Sequence, residues 1–231
     1  MEDQRLTTTG SVTASPFVVA HRAGNDLRRL RAATALSLPL AEADVRLHRG
    51  RLEVRHLKTA GPVPVLWDRW ELASPRAPRL LLEDLLAAAD PDGPELMLDL
   101  KGHDARLPAR VLDAVGDAAR VTMCSQDWRL LELLRDAPRV RVIHSVGGAR
   151  ALARIQEGCA GERLAGVSIH RRLLDAATVR DLHSRAELVM SWPVETVSEA
   201  RRLAALGVDG MISQAFEAVA AELAAPVAVT G

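Results

Sequence analysis

Short apolar runs recur along this chain, separated by stretches whose apolar residues fall at helical spacing. The first run, Phe17-Val18-Val19-Ala20-His21, predicts a strand that closes on a histidine. Gly24-Asn25-Asp26 is a turn and helix N-cap signal. Leu27, Leu30, Ala33 and Ala35 then predict an amphipathic helix to about Ser37. Residues 40–46 predict a second strand, Arg49-Gly50 a tight turn, and residues 51–56 a return strand that alternates through Leu52, Val54 and His56. Residues 58–79 read as loop, with Pro62, Pro64, Pro75, Pro78, Trp67 and Trp70. A helix over 79–89 and a strand over 95–101 follow. Beyond them the alternation is regular. Helices are predicted over 106–118, 127–135, 149–157, 175–184, 196–206 and 215–224. The strands between them fall at 120–125, 139–145, 165–170, 187–192 and 208–213.

Leaving out the return strand, eight strands are each followed by a helix or a helix-bearing loop. Strands alternating with helices argue for a parallel sheet. The predicted fold is therefore α/β, a (β/α)8 TIM barrel with an extra β-hairpin strand after strand two. An open doubly wound sheet is the competing architecture, and no glycine-rich dinucleotide fingerprint follows strand one to support it. Residues 1–15 are expected to be a disordered leader, and residues 16–231 a single domain.

Composition narrows the function. Hydrophobic residues make up 48% of the 231, enough for a full core. Lys plus Arg equals Asp plus Glu at 30 each, so no general nucleic-acid affinity is expected. Aromatic residues are 3% and tyrosine is absent, which argues against base-stacking platforms. No apolar run approaches the roughly 20 residues of a membrane span. The polar N-terminus lacks a signal-peptide core. A cytoplasmic protein without stable membrane insertion is expected. Cys124 and Cys159 fit no disulfide framework and no zinc spacing, and are read as reduced thiols.

The chemistry gathers where strands end. Glu42 and Asp44 are two residues apart on one strand, so both point the same way. Asp99 and Lys101 repeat that geometry. His21 and His56 close their own runs. Ser125, Gln126, His144, His170, Trp192 and Ser213 end or follow the later strands, and His144 and His170 are placed at the same rim. One strand-end histidine is often a hydrogen-bonded structural group. Three acids, a lysine and two histidines together are poor core material unless they bind a cation or one another. Carboxylates without cysteine suit a hard cation, Mg²⁺ or Ca²⁺. Histidines beside it suit general acid–base work. The set fits in-line displacement at a phosphodiester. His48, His103 and His183 fall in turns or helix ends and are expected to carry no function. Trp67 and Trp70 predict either an apolar plug or a lid over the barrel mouth.

These residues resemble a known family. Ala20-His21-Arg22, Glu42-Ala43-Asp44-Val45, the histidine closing LEVRH at His56, and Leu98-Asp99-Leu100-Lys101 resemble motifs of the glycerophosphodiester phosphodiesterases. Residues 191–213 resemble that family's closing strand–helix–strand, and the resemblance spans about 17–215. It implies a (β/α)8 barrel, with His21 and His56 as the catalytic acid–base pair. Glu42, Asp44 and Asp99 would hold one divalent ion. Arg22 and Lys101 would contact the phosphate, and Trp192 would wall the substrate pocket. There are departures. The family's Pro-Glu-Asn is Ala23-Gly24-Asn25 here, its His-Asp pair is His56-Leu57, its usual third glutamate is Asp99, and its glycerol-binding insertion is cut to 57–79. The metal set is closer to the sphingomyelinase D and lysophospholipase D branch. The implied function is metal-dependent hydrolysis of a glycerophosphodiester or a lysophospholipid-type phosphodiester. The alternative is a catalytically degenerate barrel that binds a phosphorylated ligand or a protein partner.

Overall fold

The computed structural model describes residues 15–59, 66–68, 71–74, 79–116, 121–158 and 163–224. Apart from Ser15, the expected leader lies outside them. Strands β1 (Phe17–Ala20) and β2 (Leu40–His48) flank helix α1 (Leu27–Ala35). Next come β3 (Arg51–Val54), β4 (Lys58–Thr59), β5 (Leu66–Asp68), β6 (Glu71–Ala73) and β7 (Leu80–Leu81), then helix α2 (Leu82–Ala88). The remaining units are β8 (Glu95–Leu100) with α3 (Leu107–Val115), β9 (Val121–Ser125) with α4 (Trp128–Glu132), and β10 (Val140–Val146) with α5 (Ala149–Glu157). They continue with β11 (Gly166–His170) and α6 (Ala176–Arg185), β12 (Val189–Trp192) and α7 (Val197–Ala205), and β13 (Gly210–Ser213) and α8 (Phe216–Ala224).

Eight parallel strands close a ring in the order β1, β2, β8, β9, β10, β11, β12, β13, because β1 pairs with both β2 and β13. This is the predicted (β/α)8 barrel. The return strand is present as β3, antiparallel to the far end of β2 and outside the ring. It is extended by β7, whose two residues fall within the helix predicted over 79–89. Residues 58–79 are not simply loop: β4, β5 and β6 form a small antiparallel sheet there. Runs of two or three residues between prolines are too short to show a period of two.

Two apolar layers hold the barrel. Inside it sit Val19, Leu40, Met97, Cys124, Ile143, Met190 and Ile212. The larger layer lies between the ring and its helices, with Leu82, Leu98, Leu107, Val167, Leu203 and Phe216 fully buried. Each such side chain contributes about 1.5–3 kcal/mol by leaving water. The inner layer leaves no room for a side chain at Gly210. A Cβ there would lie 2.6 Å from Met190 and 2.9 Å from the Phe17 ring. Helix starts follow the local signals. Asp26 accepts from the Arg28 amide at 2.8 Å, Asp175 from Thr178 at 2.7 Å, and Thr196 from Glu199 at 3.2 Å. Helix α4 stops at Glu132, short of the predicted 135. Pro138 disfavours helical geometry in the residue before it, and the chain turns through three-residue bonds instead. Among the described residues no helix is long and apolar enough to cross a membrane.

Candidate active site

Strand parity brings the acids inside the ring. Leu40, Glu42 and Asp44 alternate inward along β2. In register, Glu42 lies beside Met97 and Asp44 beside Asp99 on β8. Leu40 and Met97 belong to the inner layer, so the acids are its next layer toward the strand ends. Glu42 and Asp44 are buried, at 4% and 1% exposure. Glu42, Asp44 and Asp99 each offer an oxygen within 4.8 Å of the others.

Donors surround Asp44. The Asn25 side-chain amide donates to it at 2.8 Å, and its carbonyl accepts from the Asp44 amide at 2.9 Å. His56 Nδ1 lies 3.2 Å from Asp44 and Lys101 Nζ 3.0 Å. The Arg22 guanidinium is 3.6 Å away. Although burial works against it, this shell, led by the Lys101 ammonium, holds the Asp44 carboxyl far below the usual range. Glu42 and Asp99 shift the other way, raised by burial and by the Asp44 charge. Lys101 ion-pairs with Asp99 as well and is held firmly protonated by the acids around it. His21 lies 3.9 Å from Glu42. Desolvation and the neighbouring Arg22 push its pKa down to about 3, so it is neutral throughout the physiological range.

The loops fit the acids closely. Arg22 adopts a left-handed conformation, and its amide donates to Glu42 at 2.7 Å. A Cβ on Gly24 would lie 2.5 Å from that of Ala43, so the position that departs from the family motif has no space for a side chain. Strand β3 ends at Val54 rather than at 56. The Arg55 amide continues the ladder to the Asp44 carbonyl at 2.9 Å, and His56 sits in the bend beyond. Arginines fix that bend: Arg46 donates to the His56 carbonyl at 3.1 Å and Arg55 to that of Leu57.

A cavity of about 490 Å³ opens over these groups. All the predicted site residues meet here except Asp44, which lies beneath its floor: His21, Arg22, Glu42, His56, Asp99, Lys101 and Trp192 line it. The indole of Trp192 donates to the Ser168 carbonyl at 3.0 Å. His144 does not reach the cavity. It points outward, edge-on to Trp128 at 5.2 Å, because its neighbours Ile143 and Ser145 take the inward positions. His170 packs against Trp192 at 5.0 Å and accepts from the Arg172 amide, outside the lining. Ser125 bonds the Leu100 carbonyl, a structural role. Trp70 lies outside the described residues. Asn25 is read from sequence as a turn residue that matches the family's asparagine, and its two bonds to Asp44 are visible only in three dimensions. Ser145, Ser168 and Gln214 complete the wall and carry no motif.

The acid cluster fits a hard divalent cation. Asp99 Oδ1 is buried with no hydrogen-bond partner among the described residues. A carboxylate trio this close is stabilised by a shared positive charge. Because burial keeps Glu42 and Asp99 protonated more readily than usual, metal binding is expected to release protons. Titration calorimetry in two buffers of different ionisation enthalpy should show that release, and affinity should weaken as pH falls. A heat that is independent of buffer would contradict the assignment.

No protein-family model and no curated protein matches the chain. Solved structures do. One is a phosphodiesterase from Oleispira antarctica in complex with the product sn-glycerol-3-phosphate, with TM-score 0.72 and 17% identity over 91% of this chain and 97% of that one. A glycerophosphodiester phosphodiesterase from Parabacteroides distasonis aligns with TM-score 0.67 and 21% identity over 90% and 97%. Another, from Thermotoga maritima, gives 0.68 and 15% over 88% and 96%. The chain has the fold of the glycerophosphodiester phosphodiesterases. Within that fold, the acid trio and both histidines lie at the strand ends where barrel enzymes place their chemistry.

Proposed function

We propose that the chain is a metal-dependent phosphodiesterase acting on a glycerophosphodiester or a lysophospholipid-type diester. The observation that carries this is the convergence of a buried three-carboxylate cluster, an ammonium and two histidines on one cavity. Glu42, Asp44 and Asp99 would hold Mg²⁺ or Ca²⁺, which when bound withdraws charge from the phosphate. Lys101 and Arg22 bind non-bridging phosphate oxygens. Asp44 is ionised and only accepts, so His56 carries its proton on Nδ1 and turns Nε2 to the substrate. Held in that direction by Asp44, His56 is the group placed to protonate the leaving alkoxide. His21, neutral at pH 7, takes the proton of the attacking water or substrate hydroxyl. Trp192 walls the pocket on the side of the alcohol arm. The free thiol of Cys124 fits a cytoplasmic setting.

The experiment is an activity panel of bis(p-nitrophenyl) phosphate, glycerophosphocholine and lysophosphatidylcholine, each with EDTA, Mg²⁺ or Ca²⁺. Cleavage that needs the metal is expected for at least one. The preferred member separates the glycerol from the lysolipid reading. Silence in every condition would overturn the proposal and favour a binding module.

A further inference from the structure

Two buried hydroxyls line the cavity across from the acids. Ser145 on β10 and Ser168 on β11 are 5% and 2% exposed. Parallel register sets them side by side, at about the 4.8 Å spacing of neighbouring strands. Strand β11 stands diametrically opposite β2 in the ring, so the pair and the acids occupy facing walls. Neither hydroxyl has a hydrogen-bond partner among the described residues, and the bonds made at these two positions reach only their carbonyls.

An indole fixes each serine in place. Trp128 donates to the Ser145 carbonyl at 3.0 Å and Trp192 to that of Ser168 at 3.0 Å. Trp192 is packed edge-on by His170 at 5.0 Å and lines the same wall. Gln126 and Gln214, just past the ends of β9 and β13, add exposed amides at the rim. Among the described residues, the charges of the cavity lie elsewhere. Arg22 and Lys101 meet the acids, and the outlying Glu195 is 60% exposed beside Arg171 at 3.7 Å. This side of the cavity is one aromatic ring surrounded by neutral hydrogen-bonding groups.

A buried hydroxyl that loses water without gaining a partner is costly, so a ligand seated against this wall must supply the bonds. An acyl chain or a quaternary amine supplies none. A three-carbon arm reaches the serine pair but does not span the arc from β9 to β13. A six-membered ring with hydroxyls around its edge can meet the serines and the amides together, and its C–H face suits an indole. We infer that one arm of the diester is such a ring, a hexose or a cyclitol, with Ser145 and Ser168 as its specificity-determining residues. This rests on the phosphodiesterase reading for the reaction but stands on the neutral wall for the arm.

The test uses intact diesters on a turnover-deficient protein. His21→Ala with Mg²⁺ is titrated calorimetrically with four diesters that share one glycerol arm. Their second arm is inositol, galactose, glycerol or choline. At least one ring diester is expected to bind about tenfold tighter than both the glycerol and the choline diesters. The better of the two rings identifies cyclitol or hexose. Added salt should leave the preference standing, because the contacts are neutral. With Ser145→Ala and Ser168→Ala added, the ratio of ring to choline affinity should fall towards one. Urea midpoints should not fall with it, since neither hydroxyl bonds the fold. Equal dissociation constants across the four, a preference for choline, or a ring preference that the serine substitutions leave intact would overturn the inference. If the serine variant does not fold, as circular dichroism would show, Gln126→Ala with Gln214→Ala takes its place under the same expectation. If His21→Ala does not fold, His56→Ala replaces it. Wild-type turnover of the same four separates the two claims. No cleavage with the binding order preserved defeats the reaction, whereas cleavage without the order defeats the ring arm.

Discussion

His56→Ala is expected to lower kcat by about 10²- to 10⁴-fold, with His21→Ala close behind. KM should change little in either, because neither imidazole holds the phosphate in its ground state. The two losses have different physical origins. His56 has its Nδ1 on Asp44 at 3.2 Å and its backbone held by Arg46. Removing it takes away a proton donor whose ring direction is fixed. His21 is held neutral by burial, with its amide bonded to the Ser213 carbonyl at 2.9 Å. Its loss removes the acceptor. Circular dichroism and metal titration should match wild type in both variants, since neither ring is in the acid cluster. Near-normal turnover in both would remove the acid–base assignment.

Asp44→Asn is expected to abolish metal binding and turnover together and to destabilise the protein by about 3 kcal/mol, because it breaks a buried charge network on one side only. Lys101, Arg22 and His56 would all lose their shared anion. The sign with pH follows from the depressed Asp44 pKa. Its stabilisation is present above the unfolded value of 3.8 and is lost progressively as pH falls below it. The gap between wild type and Asp44→Asn should therefore narrow in acid. Glu42→Gln makes the contrast. Glu42 is raised by burial, so in EDTA it costs stability as pH rises past its unfolded value of 4.5. A neutral glutamine removes that cost, and at pH 8 in EDTA this variant should be no less stable than wild type while also losing the metal. Urea unfolding of the three proteins with and without Mg²⁺ measures both effects. An Asp44→Asn protein with wild-type stability and metal affinity would sink the reading.

Much of this was legible in the chain itself. Strand and helix periods are local, so the eight-fold alternation and the hairpin at Arg49-Gly50 could be read without coordinates. The i, i+2 spacing of Glu42 with Asp44, and of Asp99 with Lys101, gave the facing of the acids by the same logic. What a local pattern cannot carry is the direction of a residue at a strand's end. His144 resembled His21 in sequence, yet one residue of parity turns it outward against Trp128. Asn25 was legible as a turn residue, but its hold on Asp44 was not, because those bonds join residues 19 apart. The β4–β6 sheet was missed because strands of two or three residues are too short to establish an alternation.

The direct pairing of Asp44 with Asp99 across β2 and β8 reaches beyond the chemistry. A slip of one residue between these strands would turn every side chain of one of them to the opposite face. A chain trapped in that misregister would put its acids among the helices and its leucines in the mouth. One register thus serves both the ring and its centre, so recovery of metal affinity after dilution from denaturant is expected to keep the same clock as recovery of the barrel.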